Sequence, residues 1–402
     1  MKVLYIHSVG PWGGSSRSLF EVIKNFPEGE VDAYFILAKG SSSTHFKKVA
    51  MDTISVQGLP KLDNTAFSFY RGLRWLILLR EIFYIPFSIY AVLKANYKWR
   101  NFDVIHVNEI TEVFTVVLLK MVFAAPIVLH VRSVARQDKN SFRNKLVHSI
   151  LKNKVSKIIA IDDTVKGSLN SDLDVQVIHN SFSFKHEFAE DLEFKNKLGK
   201  IDGNNLIIGY VGSLMVSKGI LELVKAAKIV REKDKSVEFL IVGGETINKK
   251  SLKLWLLGKF GFSRNIGNEL KNLLFKYKLT DSFHLVGATD NVELAYEKMD
   301  VLCVPGFFNA PGRQVFEGAF AGVPTILAIT DPMKDTFIPM ETGIAVQLKN
   351  PQEIADAILY FANQPSEIKR MGDNAKKLAL ENFVPEKNSK KILSLYNKLL
   401  KL

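Results

Sequence analysis

At 402 residues the chain exceeds the length over which a single hydrophobic core keeps growing, so two domains are expected. Apolar residues make up 47% of it, enough to fill two cores, and one cysteine excludes a disulfide framework and fits a reducing compartment. A formal net charge of +13 points to an anionic partner, with nucleic acid, a membrane face and anionic small molecules all open at this stage.

The chain opens on an apolar run, Lys2–His7, that enters a Gly-rich turn too soon for a signal peptide, so the mature protein is expected to start at Met1 and to be cytoplasmic. The turn, Val9-Gly-Pro-Trp-Gly-Gly-Ser-Ser-Arg-Ser18, lies between a strand and a helix. Its glycines allow close backbone approach to an anion at the helix N-terminus. A plain turn capped by Ser15 or Ser16 accounts for the segment equally well.

Further strands are expected at 33–37, 104–107, 127–131, 157–161 and 175–178. Between the first and second of these lies the most apolar stretch, 75–93, broken by Arg80, Glu81 and Pro86. A spanning helix would place that charge pair near the bilayer centre at roughly 2.5–3.5 kcal/mol per charge, which argues against a transmembrane reading. Its aromatics (Phe67, Phe69, Tyr70, Trp75, Phe83, Tyr84) and basic flank (Arg71, Arg74, Lys94, Lys98, Arg100) suit a helix lying in the interface of an anionic membrane. A buried helix pair is the alternative. Residues 1–188 carry 24 Lys and Arg against 16 Asp and Glu, which favours peripheral contact with the inner face of the cell membrane.

Residues 1–185 form the expected first domain and 186–205, polar and charged around Phe194, a linker or small helix. A second α/β series occupies 206–384, with strands at 206–211, 238–242, 283–286, 301–304, 325–327 and 344–346. A closing helix in 385–402 can pack on either domain, including back on the first. Two open parallel sheets in tandem follow, with ligands expected beyond the carboxyl ends of their strands, in a cleft between the domains.

Three features of the second series carry chemistry. Gly209-Tyr-Val-Gly-Ser-Leu-Met-Val-Ser-Lys-Gly219 puts Lys218 just before a helix, where it can act as a point charge on phosphate. From Asp300 to Pro324 a buried strand holding Cys303 gives way to a Pro/Gly loop and a helix starting near Arg313, whose first amides at Gly312 to Gln314 face an anion. Glu317 falls among Val315, Phe316, Ala319, Phe320 and Ala321. A carboxylate there needs donors, and a ribose diol or a salt bridge would supply them.

These segments, with Gly13-Gly14, Asp103-Val-Ile-His-Val107, Pro126 to Arg132, Val177-Ile-His-Asn-Ser181, Phe239 to Glu245 and Thr342-Gly343, resemble in order the retaining glycosyltransferases of family 4. The resemblance implies the two-domain GT-B fold, with two Rossmann-like domains, and a nucleotide-sugar co-substrate without cofactor or metal. It also implies hexosyl transfer to a glycan or lipid-linked acceptor, as in surface polysaccharide or lipopolysaccharide biosynthesis. It assigns donor binding to Gly13, Gly14, Lys218, Gly312, Arg313, Gln314 and Glu317, with Glu317 on the ribose. Three positions depart from the family pattern. Asn309 replaces the first of two glutamates, Ser213 replaces a phosphate-binding Arg, and Arg132 stands where the family has its active-site His.

Arginine does not deprotonate at neutral pH, so Arg132 is expected to bind an anion rather than act as a base. His130, two residues earlier on the same strand face, is a weaker catalytic candidate beside Asn309. Asp162-Asp163 and Asp172-Leu-Asp174 read as caps or loop acids rather than a metal site. A non-catalytic sugar-nucleotide-binding protein and a sugar-nucleotide epimerase are the rival readings. Nucleic-acid binding ranks last for want of a basic helix or aromatic-basic interleaving.

Overall fold

A computed structural model describes the chain except residues 67, 69, 71, 139, 185–190, 202, 234–235, 245–265, 290 and 402. The sequence features at Phe67, Phe69, Arg71 and Glu245, and the start of the expected linker, therefore lie outside the described residues. Two compact units emerge, Met1–Ser183 with Asn382–Leu402, and Phe184–Glu381.

The first unit is built on a seven-stranded, fully parallel sheet in the order β3-β2-β1-β4-β5-β6-β7. Its strands are β1 (Lys2–His7), β2 (Asp32–Ala38), β3 (Asp52–Val56), β4 (Val104–Val107), β5 (Ile127–Val131), β6 (Lys157–Ala160) and β7 (Val175–Val177). The central strands are buried on both faces, which is why they read as unbroken apolar runs. On one face pack α3 (Ile77–Trp99), α4 (Val113–Val122), α5 (Phe142–Lys154) and α6 (Asp163–Ser168), around Ile6, Ile105, Leu129, Val92, Val116 and Leu151. Helices α1 (Gly14–Lys24), α2 (Ser41–Phe46) and the closing helix α14 (Pro385–Leu400) cover the other, around Tyr5, Phe35, Leu19 and Tyr396.

The second unit carries a six-stranded parallel sheet in the order β10-β9-β8-β11-β12-β13. It comprises β8 (Leu206–Val211), β9 (Val237–Val242), β10 (Phe283–Gly287), β11 (Val301–Val304), β12 (Thr325–Ala328) and β13 (Gly343–Val346). One face is covered by α8 (Ile220–Lys233), α9 (Ile266–Lys276), α12 (Pro351–Asn363) and Met371 of α13 (Pro365–Asn382). The other holds α7 (Leu192–Leu198), α10 (Val292–Glu297) and α11 (Arg313–Phe320).

Two local readings are settled by the structure. The segment read as a linker or small helix contains α7, capped by Asp191 and anchored by Phe194, Leu198 and Ile201, all buried in the second unit's core. Neither Ser15 nor Ser16 caps α1. Gly13 is the N-cap residue and has no side chain to cap with, Ser15 and Ser16 lie inside the first turn, and the Ser16 hydroxyl bonds His7 at 2.8 Å.

Candidate functional site

In each sheet the strand order reverses once, between β1 and β4 in the first unit and between β8 and β11 in the second. Loops leaving the two strands at such a point diverge to opposite faces and open a crevice at their carboxyl ends. Gly13 and Gly14 follow β1, Lys218 follows β8, and Asn309 to Glu317 follow β11, while Arg132 follows β5, the strand beside β4.

In the first unit Arg132 follows β5 directly and is held by three side chains. Its Nε donates to Asn108 Oδ1 at 2.7 Å, Nη1 to Asn180 Oδ1 at 2.6 Å and Nη2 to His130 Nδ1 at 3.2 Å. Asn108 Nδ2 donates in turn to His7 Nδ1 at 2.9 Å, which leaves the His7 Nε2 proton for Ser16. Burial, followed by the Arg132 charge, pushes His7 and His106 down to about 3 and His130 well below the usual histidine value. All three imidazoles are therefore neutral. His130 is fully buried and orients Arg132 instead of meeting solvent, whereas Arg132 itself is partly exposed.

Sequence reasoning passed over three residues here. Glu109 accepts from the Arg132 amide at 3.4 Å and from Ser133 Oγ at 2.9 Å, and Glu112 accepts from the Ser8 amide and hydroxyl at 3.1 and 2.8 Å. Burial raises both carboxyls, Glu112 to about 7. Asn108 and Glu109 immediately follow β4, so the rule that ligands sit beyond strand ends at a reversal point would have found them. Above Gly13 there is open space, since a Cβ built there meets no atom within 4 Å, and the first-turn amides of α1 have no side-chain cap.

In the second unit Lys218 closes a short 3-10 turn, Val216–Lys218, and Gly219 follows in the left-handed region at φ 76°. A Cβ at Gly219 would lie 1.9 Å from the Pro305 carbonyl oxygen, so glycine lets the Lys218 loop close onto the end of β11. The Phe307 amide donates to Ser217 O at 2.9 Å, and the Lys218 ammonium sits 4.9 Å from the centre of the Phe308 ring. Burial lowers the Lys218 pKa. No carboxylate among the described residues forms an ion pair with it, an arrangement suited to an incoming anion.

The loop continues to Gly312, the N-cap of α11, which also lacks a side-chain cap. Gln314 folds its side chain over Gly312, where a Cβ would meet Gln314 Oε1 at 2.5 Å. Glu317 is 6% exposed and divided between two partners, with Oε1 2.6 Å from Arg313 Nε and Oε2 accepting from Tyr296 OH at 3.0 Å. The buried carboxylate thus has its charge partner one helical turn back, and each oxygen retains a second lone pair for a hydroxyl donor.

Asn309 has φ 46°, a conformation asparagine tolerates better than glutamate, and its Oδ1 accepts from the Thr330 amide at 2.7 Å. Ser213 accepts a hydrogen bond from Tyr210 OH through its backbone carbonyl at 2.9 Å. Asp162 caps α6 by accepting from the Val165 amide at 2.6 Å, Asp172 pairs with Lys152 and His148, and Asp174 pairs with Lys157. No group of three or more His, Cys, Asp and Glu residues is arranged to hold a metal ion among the described residues.

Two parallel-sheet units of this construction define the GT-B architecture. Anabaena HepE in complex with UDP and glucose shares the fold at a TM-score of 0.74, with 17% identity and 99% of each chain covered. Residues 191–378 match the family described as glycosyl transferases group 1. Staphylococcus aureus CapM, a capsular polysaccharide biosynthesis glycosyltransferase, is 25% identical over 223 residues, 55% of this chain and 54% of its own length. A Methanocaldococcus jannaschii glycosyltransferase, MJ1607, is 22% identical over 314 residues, 74% of this chain and 75% of its own. The chain is thus a GT-B-fold protein related to the group 1 glycosyltransferases.

Proposed function

We propose that the protein is a metal-independent, retaining glycosyltransferase of family 4 that transfers a sugar from a nucleotide sugar to a glycan or lipid-linked acceptor in surface polysaccharide assembly. The observation that carries this reading is the crevice between β8 and β11. There a half-buried cation with no acid paired to it among the described residues, an uncapped helix N-terminus and a buried carboxylate follow the two strands of one reversal. Lys218 and the α11 amides neutralise the leaving diphosphate, the work a metal ion does elsewhere. Glu317 accepts from the ribose hydroxyls, and Arg313 turns from Glu317 toward phosphate when the diol replaces it. Arg132, held rigidly in the first unit, takes an anionic group of donor or acceptor. The HepE complex with UDP and glucose and the capsular role of CapM support the donor class and the setting.

Incubation with UDP- and GDP-sugars and lipid-linked acceptors, with the product anomer read by NMR, tests the proposal. Transfer with the donor's anomeric configuration preserved is expected; inversion, or no transfer together with no nucleotide binding, overturns it. Glu317→Ala is expected to weaken sugar-nucleotide binding about 10- to 100-fold, the effect of losing hydrogen bonds to a charged acceptor. The matching 2′,3′-dideoxyribose donor should bind wild type and variant alike. An equal loss for both donors would place Glu317 away from the ribose.

A further inference from the structure

The first unit has an outer surface that the donor site does not explain. Helices α3, α4 and α5 lie side by side on one face of its sheet. The inner edge of α3 is part of the core through Ala91, Val92, Ala95 and Trp99, and buried Glu81 accepts from the Lys61 amide at 2.8 Å. Its outer edge repeats at helical spacing Leu79, Ile82, Phe83, Ile89, Leu93 and Tyr97, all exposed, with Tyr97 88% exposed. Phe114 and Met121 continue this surface on α4, and Phe142 and Leu146 on α5.

A contiguous patch of large apolar side chains on an outer helical layer marks an interaction surface. Its charge identifies the partner. The three helices carry Arg80, Lys94, Lys98, Lys120, Arg143, Lys145, Lys152 and Lys154 against a single acid, the buried Glu81. Arg80, Lys98 and Lys152 are paired with Glu81, Asp52 and Asp172, and Lys94, Lys120, Arg143, Lys145 and Lys154 are cations beyond these pairs.

By length and composition Arg74–Trp99 could cross a bilayer, but α3 is fastened along one side to the sheet. Its apolar side and basic rim instead match a surface that is hydrophobic below and anionic above. We infer that the outer face of α3, α4 and α5 docks on an anionic lipid bilayer, with Leu79, Ile82, Phe83, Ile89 and Leu93 inserted below the headgroups and the lysines and arginines among the phosphates. The inference stands on the first unit alone and is independent of the donor site.

Co-sedimentation of the full chain with vesicles, without sugar nucleotide, tests it. Phosphatidylcholine vesicles doped with phosphatidylglycerol should bind the chain at least about tenfold more strongly than phosphatidylcholine alone, since each basic residue at an anionic surface contributes about 1 kcal/mol. Leu79→Asp/Phe83→Asp should lower that binding at least about tenfold while circular dichroism and the thermal unfolding profile stay those of wild type, which shows that the first unit is folded in the variant. Lys94→Glu/Lys145→Glu should remove the preference for anionic vesicles. Equal binding to both vesicle types, or no binding to either, overturns the inference. So does dimerisation in vesicle-free buffer that the Leu79→Asp/Phe83→Asp variant abolishes, because the face would then belong to a second copy.

Discussion

Lys218→Met is expected to lower kcat/KM for sugar transfer about 100- to 1,000-fold, the usual cost of removing one donor aimed at developing negative charge. The leaving diphosphate gains charge as the glycosidic bond breaks, and Lys218 is the cation that the loop between β8 and α8 carries to the loop after β11, at Gly306 and Phe308. It rests against the Phe308 ring, so the ammonium is partly desolvated before any ligand arrives and interacts more strongly with phosphate than a solvated lysine would. Methionine preserves the stem and its contact with Phe308, and Gly219 still closes the loop, so a fall in turnover reports charge and not folding. The check is steady-state kinetics beside thermal unfolding of the same variant. Turnover within about threefold of wild type, a difference of under 1 kcal/mol, would remove Lys218 from the reaction.

Glu112→Gln is expected to stabilise the protein against unfolding by on the order of 2–4 kcal/mol above pH 7, and to be neutral below the ordinary glutamate range. Burial, the main cause, raises Glu112 to about 7, and nearby Glu109 adds to the rise, while Ser8 and then Lys61 oppose it. The folded chain therefore keeps a proton that the unfolded chain releases near 4.5. The stability that goes with this proton is fully present below 4.5 and is lost as pH rises through about 7. Glutamine stays neutral throughout and still accepts from Ser8, so it escapes that loss. Denaturant titrations across this range give the curve directly; a wild-type minus variant difference that does not widen with pH would show that Glu112 ionises freely in the fold.

Much of this structure was legible because parallel strands buried on both faces appear as apolar runs. β1, β4, β5, β8 and β11 were all located within a residue or two. The strand β3 was missed because Asp52-Thr-Ile-Ser-Val56 lies at the sheet edge, where only Ile54 and Val56 are buried and polar residues dilute the apolar signal. α7 could be read only as a linker or small helix for a related reason, since only Phe194 and Leu198 of its seven residues are buried among charged neighbours.

At the candidate site, sequence located Lys218, Glu317 and the start of α11. It could not supply their partners. Phe308 beneath Lys218 and Tyr296 against Glu317 meet them through tertiary packing, and no local spacing encodes that. Asn309, where the family resemblance predicted a glutamate, occupies a backbone conformation with φ 46° and ties its side chain to Thr330.

The course of the chain also sets when the first unit can be finished. Its core includes Ile392, Leu395 and Tyr396 of α14, and the Tyr396 hydroxyl lies 2.6 Å from His106 Nδ1 and 3.4 Å from Tyr5 OH. Yet α14 follows the whole of the second unit in sequence. During synthesis the early strands emerge first and wait with one face of the sheet incompletely covered while nearly two hundred further residues are made. The second unit, continuous in sequence, can fold in that interval, so the part of the protein made first is the last to be completed.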